Sequence, residues 1–375
     1  EWHLADFAIA AVGAVSVPVF SAFDTAQLED IVNRAGVKLL FVGDEERYDR
    51  AMSFYLSSDY LQRVIVFDGL SGRTTVPQNQ SLADFLEMGR KSKREKDVRT
   101  RLSHASPDDY ASIIYTPGTT GDPKGVILTH ATFFHQIKSL SALFPLTEND
   151  TSLCYLPLSR AFERTWSYFI LSRGAVNCYC DDHRKAWEYM LEVEPTCMTA
   201  PPSFYQKLFA SIRGSMALDP PCRQALYRWA IDTARVLASY KLEMRPYTRG
   251  LRLRHRLTAM ILKAKIMQFV GKRVRFLISG GVALPREIEE LFYAAGVQIY
   301  QGYGLTESAS IVTINSPGNF MFGTAGTPLD QCEVRISEQG EILARGPNMM
   351  AGYYKVRGDA IDAFDEERWL RTGDR

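Results

Sequence analysis

Apolar residues along this chain come in short runs, and the stretches between them repeat with the period of a helix. Runs at residues 7–20, 38–42 and 63–67 read as strands, and residues 25–35 between them read as a helix. The alternation continues, with strands expected at 110–115, 125–128, 151–156, 175–180, 275–278 and 297–300. Helices are expected at 131–144, 162–171 and 285–295. Strands alternating with helices predict an α/β fold with largely parallel sheets. Three stretches break the rhythm. Residues 89–109 are polar and basic and read as a surface excursion or linker, while 220–270 form one long helical region. After Gly323, short alternating segments at 333–336 and 341–344 predict a small β-rich subdomain.

Composition narrows the class. At about 150 residues per domain, the 375 residues predict two or three domains, and 46% hydrophobic with 23% charged residues describes a soluble globular chain. A net charge of +1 argues against nucleic acid as a partner. The balance is uneven, because residues 235–275 hold twelve Lys or Arg and a single acid, Glu243. That basic stretch, Arg235 to Arg275, has two readings: solvated helix faces, or peripheral attachment to anionic lipid worth ~1 kcal/mol per well-placed basic residue.

The six cysteines form no C-x-x-C pair and the six histidines show no ligand spacing, so neither set is assigned a metal. Reduced thiols predict a cytoplasmic protein, with the basic stretch leaving a peripheral position at the inner membrane surface open. The longest apolar run, 7–20, is too short to span ~30 Å of hydrocarbon and follows no basic leader. No Met opens the chain, which predicts that its beginning is missing.

The densest chemistry is Tyr115-Thr116-Pro117-Gly118-Thr119-Thr120-Gly121-Asp122-Pro123-Lys124-Gly125. Its glycines let backbone N–H groups turn toward an anion, its threonines add hydroxyl donors, and Lys124 adds positive charge. An ordinary Gly/Thr hairpin loop is the bland alternative. A Walker A loop is excluded, because Pro123 occupies the place of the second Gly and a strand, not a helix, is expected after Lys124.

A second segment, Gln301-Gly302-Tyr303-Gly304-Leu305-Thr306-Glu307, offers an aromatic face, a hydroxyl and a hard carboxylate ligand. Alone, a turn with a helix cap explains it equally well. Ser279-Gly280-Gly281-Val282-Ala283-Leu284-Pro285 is a glycine turn, and Trp369-Leu370-Arg371-Thr372-Gly373-Asp374 ends on an exposed-turn aspartate.

Together, in this order, these segments resemble the signatures of the adenylate-forming (AMP-binding) superfamily, which includes acyl-CoA synthetases, peptide-synthetase adenylation domains and luciferases. The first resembles Y-[ST]-S-G-[ST]-T-G-x-P-K-G, with Pro117 replacing a small hydroxyl residue. Leu343-Ala344-Arg345-Gly346-Pro347 with Gly352-Tyr353 resembles the family's β-rich subdomain.

The resemblance implies two α/β sheets in an adenylate-forming core at 1–322, built as two intertwined subdomains with the phosphate loop at 115–125. It implies a β-rich subdomain at 323–375 ending at the ribose-binding Asp374, and a mobile C-terminal domain before which this chain stops. ATP, Mg²⁺ and coenzyme A are the implied cofactors and co-substrates. Thr116, Gly118, Thr119, Thr120, Gly121 and Lys124 are implied in holding phosphates, and Gly280, Gly281, Gln301, Gly302, Tyr303, Thr306 and Asp374 in holding the rest of the nucleotide. Mg²⁺ is implied at Thr120 and Glu307, and a catalytic role for Lys124, Thr120 and Glu307.

Leu156-Pro157-Leu158-Ser159-Arg160-Ala161-Phe162-Glu163-Arg164 is similar to the L-P-L-S-H-x-F-E-R of long-chain fatty acyl-CoA synthetases, with Arg160 in place of His. The long helical region agrees with that branch. Trp166 and Val282 are the substrate candidates for an acyl tunnel, with plain core packing as the alternative. The expected activity is ATP-dependent activation of a long-chain fatty acid to acyl-CoA, weak in this chain without the C-terminal domain. The rivals are a ligase for an aryl, short-chain or carrier-loaded acid, and a non-catalytic nucleotide-binding module.

Overall fold

The computed structural model describes residues 1–68, 76, 78–116, 123–355 and 363–375. The chain divides into two compact units, Glu1–Ala131 with Met350–Asp362, and Thr132–Met349 with Ala363–Arg375.

In the first unit, the helix Thr25–Ala35 lies where the pattern puts it. Asp24 accepts from the Gln27 backbone while the Gln27 side chain accepts from the Asp24 N–H, a reciprocal cap that satisfies two end donors. This helix and Glu45–Tyr55 accompany the parallel strands Leu39–Val42 and Arg63–Val66, and Val32, Tyr48, Ala51, Phe54, Val64 and Val66 form the shared core. A second, antiparallel sheet pairs Tyr110–Thr116 with Lys124–Thr129, which in turn pairs with Gly352–Tyr354.

Two expectations fail here. The run 7–20 is not a strand. Trp2–Ala11 is a helix rich in the helix-former Ala, and the extended chain beyond it touches strand 110–116 through one bridge, Ser16 to Ser112. The stretch 89–109, read as a surface excursion or linker, is not plain linker, since Leu82–Lys91 runs into it and Glu95–His104 is a helix. Neither helix buries a residue, which keeps the surface reading. Charged residues that pair four apart, such as Glu95 with Arg99, favour a helix without an apolar face.

The second unit is built on a seven-stranded sheet. Its spatial order is Thr327–Pro328, Thr313–Ile314, Gln298–Tyr303, Phe276–Gly280, Cys197–Ala200, Thr151–Cys154, Val176–Tyr179. The last five run parallel and the first two are antiparallel additions at one edge. From Thr151–Cys154 the chain first adds a strand on one side, then returns to add three on the other, so the order reverses between Thr151–Cys154 and Cys197–Ala200. In open α/β sheets ligand crevices form outside the carboxyl ends of such strands.

The expected helical region resolves into Pro221–Leu242 and Arg249–Val270, which pack together after Pro202–Ala217. Glu333–Ile336, Ile342–Arg345 and Leu370–Arg371 form a small antiparallel sheet, as the late texture predicts. The α/β class therefore holds, with four sheets among the described residues. All six cysteines are free thiols. Among the described residues no helix is long and apolar enough to cross a membrane.

Candidate active site

In the first unit, the antiparallel register sets Thr116 opposite Lys124, at the facing ends of two neighbouring strands. A strand follows Lys124, which removes the Walker A alternative on structural grounds. Lys124 Nζ stands 5.5 Å from the centre of the Tyr353 ring, within cation–π range. Gly118, Thr119, Thr120 and Gly121 lie outside the described residues.

In the second unit, Phe276–Gly280 and Gln298–Tyr303 are neighbouring parallel strands with Gly302 opposite Gly280. Both glycine turns therefore leave the sheet at the same end, the carboxyl end. Gly281 continues with φ +98°, a conformation that side chains oppose. Val282 follows with 75% of its surface exposed.

Gln301 does not present its amide to solvent. Its Oε1 accepts from the Leu284 N–H at 2.6 Å and its Nε2 donates to Glu289 Oε1 at 2.7 Å. Glu289 Oε2 accepts in turn from the Gly323 N–H at 2.8 Å. Burial pushes the Glu289 carboxyl above its ordinary range. Gln301 is thus a tie between the two glycine turns, with each end of its amide bonded within the protein.

Tyr303 and Asp374, 71 residues apart, meet directly: the Tyr303 hydroxyl donates to Asp374 Oδ2 at 2.7 Å. Burial and the neighbouring carboxylate push the phenol well above its ordinary range. Asp374 is held in place by its turn, where its N–H donates to Thr372 Oγ1, the Thr372 hydroxyl donates to Ile342 O, and its own carbonyl accepts from the Ile342 N–H. Trp369 anchors the same segment, with the guanidinium groups of Arg335 and Arg345 at 4.3 and 4.6 Å from its ring centre.

The turn carrying Thr306 and Glu307 is drawn tight. Thr306–Ser308 is a single 3₁₀ turn, followed by Ala309 at φ +54° and Ser310 at φ +122°, both strained for non-glycine residues. Three buried side chains hold it there. The Gln136 amide donates to the carbonyls of Ser308 and Ile311 at 2.9 and 2.6 Å, the Asn348 amide donates to the same two, and the Thr165 hydroxyl donates to Ala309 O at 2.7 Å. No sequence signal marked these three, because each is a lone polar residue outside any motif.

The remaining candidates differ in setting. Trp166 is 1% exposed, packs against Phe169 and Phe276, and donates its indole N–H to Ser152 Oγ at 2.9 Å. These are the surroundings of a core tryptophan. Glu163 lies three residues before it, where the strand order reverses. Its Oε2 accepts from the Leu156 N–H at 3.1 Å and the Thr199 hydroxyl at 3.2 Å.

Full burial raises the Glu163 carboxyl from 4.5 to about 7. The folded state thus holds this proton more tightly than the unfolded one, so stability falls as pH rises from 4.5 to about 7. Glu163→Gln removes that dependence. Thermal and urea unfolding between pH 4 and 8 should show the variant gaining on the parent by about 1.4 kcal/mol per pH unit inside the window. Parallel profiles would mean that Glu163 stays ionised in the fold.

Among the described residues no three His, Cys, Asp or Glu converge as a metal cage. The carboxylate of Glu307 nevertheless suits Mg²⁺, which binds through one or two carboxylates together with substrate phosphates.

A family model described as "AMP-binding enzyme" matches residues 1–354. The chain belongs to the AMP-binding enzyme family. "Long chain acyl-CoA synthetase 6, peroxisomal" of Arabidopsis thaliana is 28% identical over 396 residues, covering 100% of this chain and 54% of the relative. The chain spans about half the length of the curated relatives it matches.

A long-chain-fatty-acid-CoA ligase from Archaeoglobus fulgidus superposes with a TM-score of 0.68 at 19% identity, over 99% of this chain and 67% of that one. The anthranilate CoA ligase AuaEII, solved with anthranoyl-AMP, gives a TM-score of 0.66 at 19% identity, over 100% of this chain and 62% of that one. At such identities the two structures speak for the fold, which is the one expected from the motifs.

Proposed function

We propose that the protein activates a long-chain fatty acid with ATP to an acyl-adenylate and passes the acyl group to coenzyme A. The observation that carries the adenylate reading is the meeting of Tyr303 with Asp374 at the carboxyl end of the parallel strands, beside Thr306 and Glu307. An aromatic face and a carboxylate so placed suit an adenine and the two ribose hydroxyls. The long-chain reading is supported by residues 156–164 and by the named plant relative.

A carboxylate is already ionised at neutral pH, so no general base is needed. The obstacle is repulsion between two anions. The acid's oxygen bonds to the α-phosphorus as the bond to the β-phosphate oxygen breaks and pyrophosphate leaves. Sulfur of coenzyme A then bonds to the acyl carbon, its proton passing to solvent while AMP departs.

Lys124 and Thr116 act on the phosphates, the Gly280–Gly281 turn and Tyr303 seat the nucleotide base, and Asp374 holds the ribose. Glu307 and Thr120 are the residues to hold Mg²⁺, which when bound neutralises phosphate charge. The protein's part is to fix these groups in line and to keep fixed dipoles where charge develops.

A second reading is a ligase for an aryl acid, because the fold, which the anthranilate ligase shares, does not by itself select the acid. Calorimetric titration with non-hydrolysable acyl-adenylate analogues separates the readings. Each buried methylene adds about 0.8 kcal/mol, so octanoyl should outbind acetyl by at least about a hundredfold, and palmitoyl should bind tightest. A benzoyl optimum would transfer the assignment to aryl acids. Equal affinity for all would leave a nucleotide-binding module, and no binding by folded protein would remove the adenylate reading itself.

A further inference from the structure

The helix Arg249–Val270 is 22 residues long and has two apolar faces where one is enough to hold it. Leu251, Thr258, Leu262, Ile266 and Val270 are buried and pack it onto the unit. On the opposite side Leu253, Leu257 and Met260 stand 60%, 45% and 71% exposed. At 100° per residue these three fall within about 60° of arc, centred roughly 170° from the buried face.

Beside this stripe, within a further arc of about 60°, lie Arg249, Arg252, Arg256 and Lys263, all exposed; Arg254 flanks the other side. Four other cations of the basic stretch are paired, Arg235 with Asp232, Arg245 with Glu243, Lys265 with Asp219 and Arg275 with Asp150. Among the described residues Arg249, Arg252, Arg254, Arg256 and Lys263 have no ion-pair partner. This helix carries no acid at all.

We propose that this face is a docking surface for an anionic lipid bilayer, with the helix lying in the interface. The pattern matches an interfacial helix, whose apolar side enters the boundary between headgroups and acyl chains while its Lys and Arg meet lipid phosphates. The charge decides the occupant. A second copy of this face would set five unpaired cations against five, and a nucleic acid would leave the apolar stripe against water. The helix is also too polar to span a bilayer, so the contact is peripheral.

Flotation of the full chain with vesicles tests this without any reference to its activity. It should bind phosphatidylcholine mixed with phosphatidylglycerol, scarcely bind phosphatidylcholine alone, and release as salt is raised. Each basic residue near an anionic leaflet contributes a factor of about five, so Arg252→Gln with Arg256→Gln should weaken binding about thirtyfold. Leu257→Ser with Met260→Ser should weaken it at least about tenfold while leaving the salt dependence in place.

All four positions are exposed, so thermal midpoints should match the parent and exclude misfolding as the cause. Equal binding by parent and variants, or equal binding to neutral and anionic vesicles, overturns the proposal. So does a concentration-dependent dimer that Leu257→Ser with Met260→Ser abolishes, since the face would then belong to a second copy.

Discussion

Glu307→Gln lowers acid-dependent ATP–pyrophosphate exchange by about two to three orders of magnitude, while affinity for an acyl-adenylate analogue changes less than about fivefold. The split follows from where the charge is needed. Pyrophosphate departure concentrates negative charge beside a carboxylate-held cation, whereas the adenylate analogue carries no polyphosphate and makes no such demand. The substitution is isosteric, and the turn that bears Glu307 is held by the Gln136, Asn348 and Thr165 bonds to neighbouring carbonyls. The fold should therefore survive, and circular dichroism with a thermal scan checks that it does. Exchange at the parent rate would remove Glu307 from the chemistry.

Gly304→Ala has the second large effect, and it works through the backbone. A Cβ built there would sit 1.6 Å from the Ser310 carbonyl oxygen and 2.6 Å from its carbon, inside any tolerable contact. The obstruction is main chain, so no rotamer relieves it. The 304–311 loop must open, carrying Thr306 and Glu307 away from Tyr303 and straining the bonds from Gln136 and Asn348.

Overpacking of this kind costs about 1–3 kcal/mol or more. The expected result is a thermal midpoint several degrees lower, together with at least a hundredfold loss in the exchange rate, since misplacement by about 1 Å costs that much. A variant with parental activity and stability would show that the loop accommodates a methyl at position 304.

These two positions also mark how far the chain could be read unaided. Regular elements with a clear period and good caps were legible: Thr25–Ala35 and Glu333–Ile336 lie where the apolar pattern puts them. Elements whose residues suit two structures were not. The Ala-rich run at Trp2–Ala11 is as apolar as a buried strand, and period alone cannot separate the two. Cys197–Ala200 is a four-residue strand buried on both faces, with no alternation to announce it. The helices Leu82–Lys91 and Glu95–His104 have no buried face, so polarity made them look like a linker.

The chemistry was more legible than the geometry. Amino-acid sequence alone determined which groups are available, namely Lys124 with its threonines, the Tyr303–Glu307 segment, the glycine turn and Asp374, because motif residues are contiguous and their functional groups are intrinsic. Tertiary structure alone decided how they are used. It joined Tyr303 to Asp374 across 71 residues, turned Gln301 from a presumed ligand contact into an internal tie, and brought Gln136, Thr165 and Asn348 onto one strained loop. It also placed Trp166 in the core, and set the carbonyl of Ser310 where Gly304 must lack a side chain. Local propensity depends on neighbours a few residues away, whereas these contacts depend on which strands pair and how closely the chain packs.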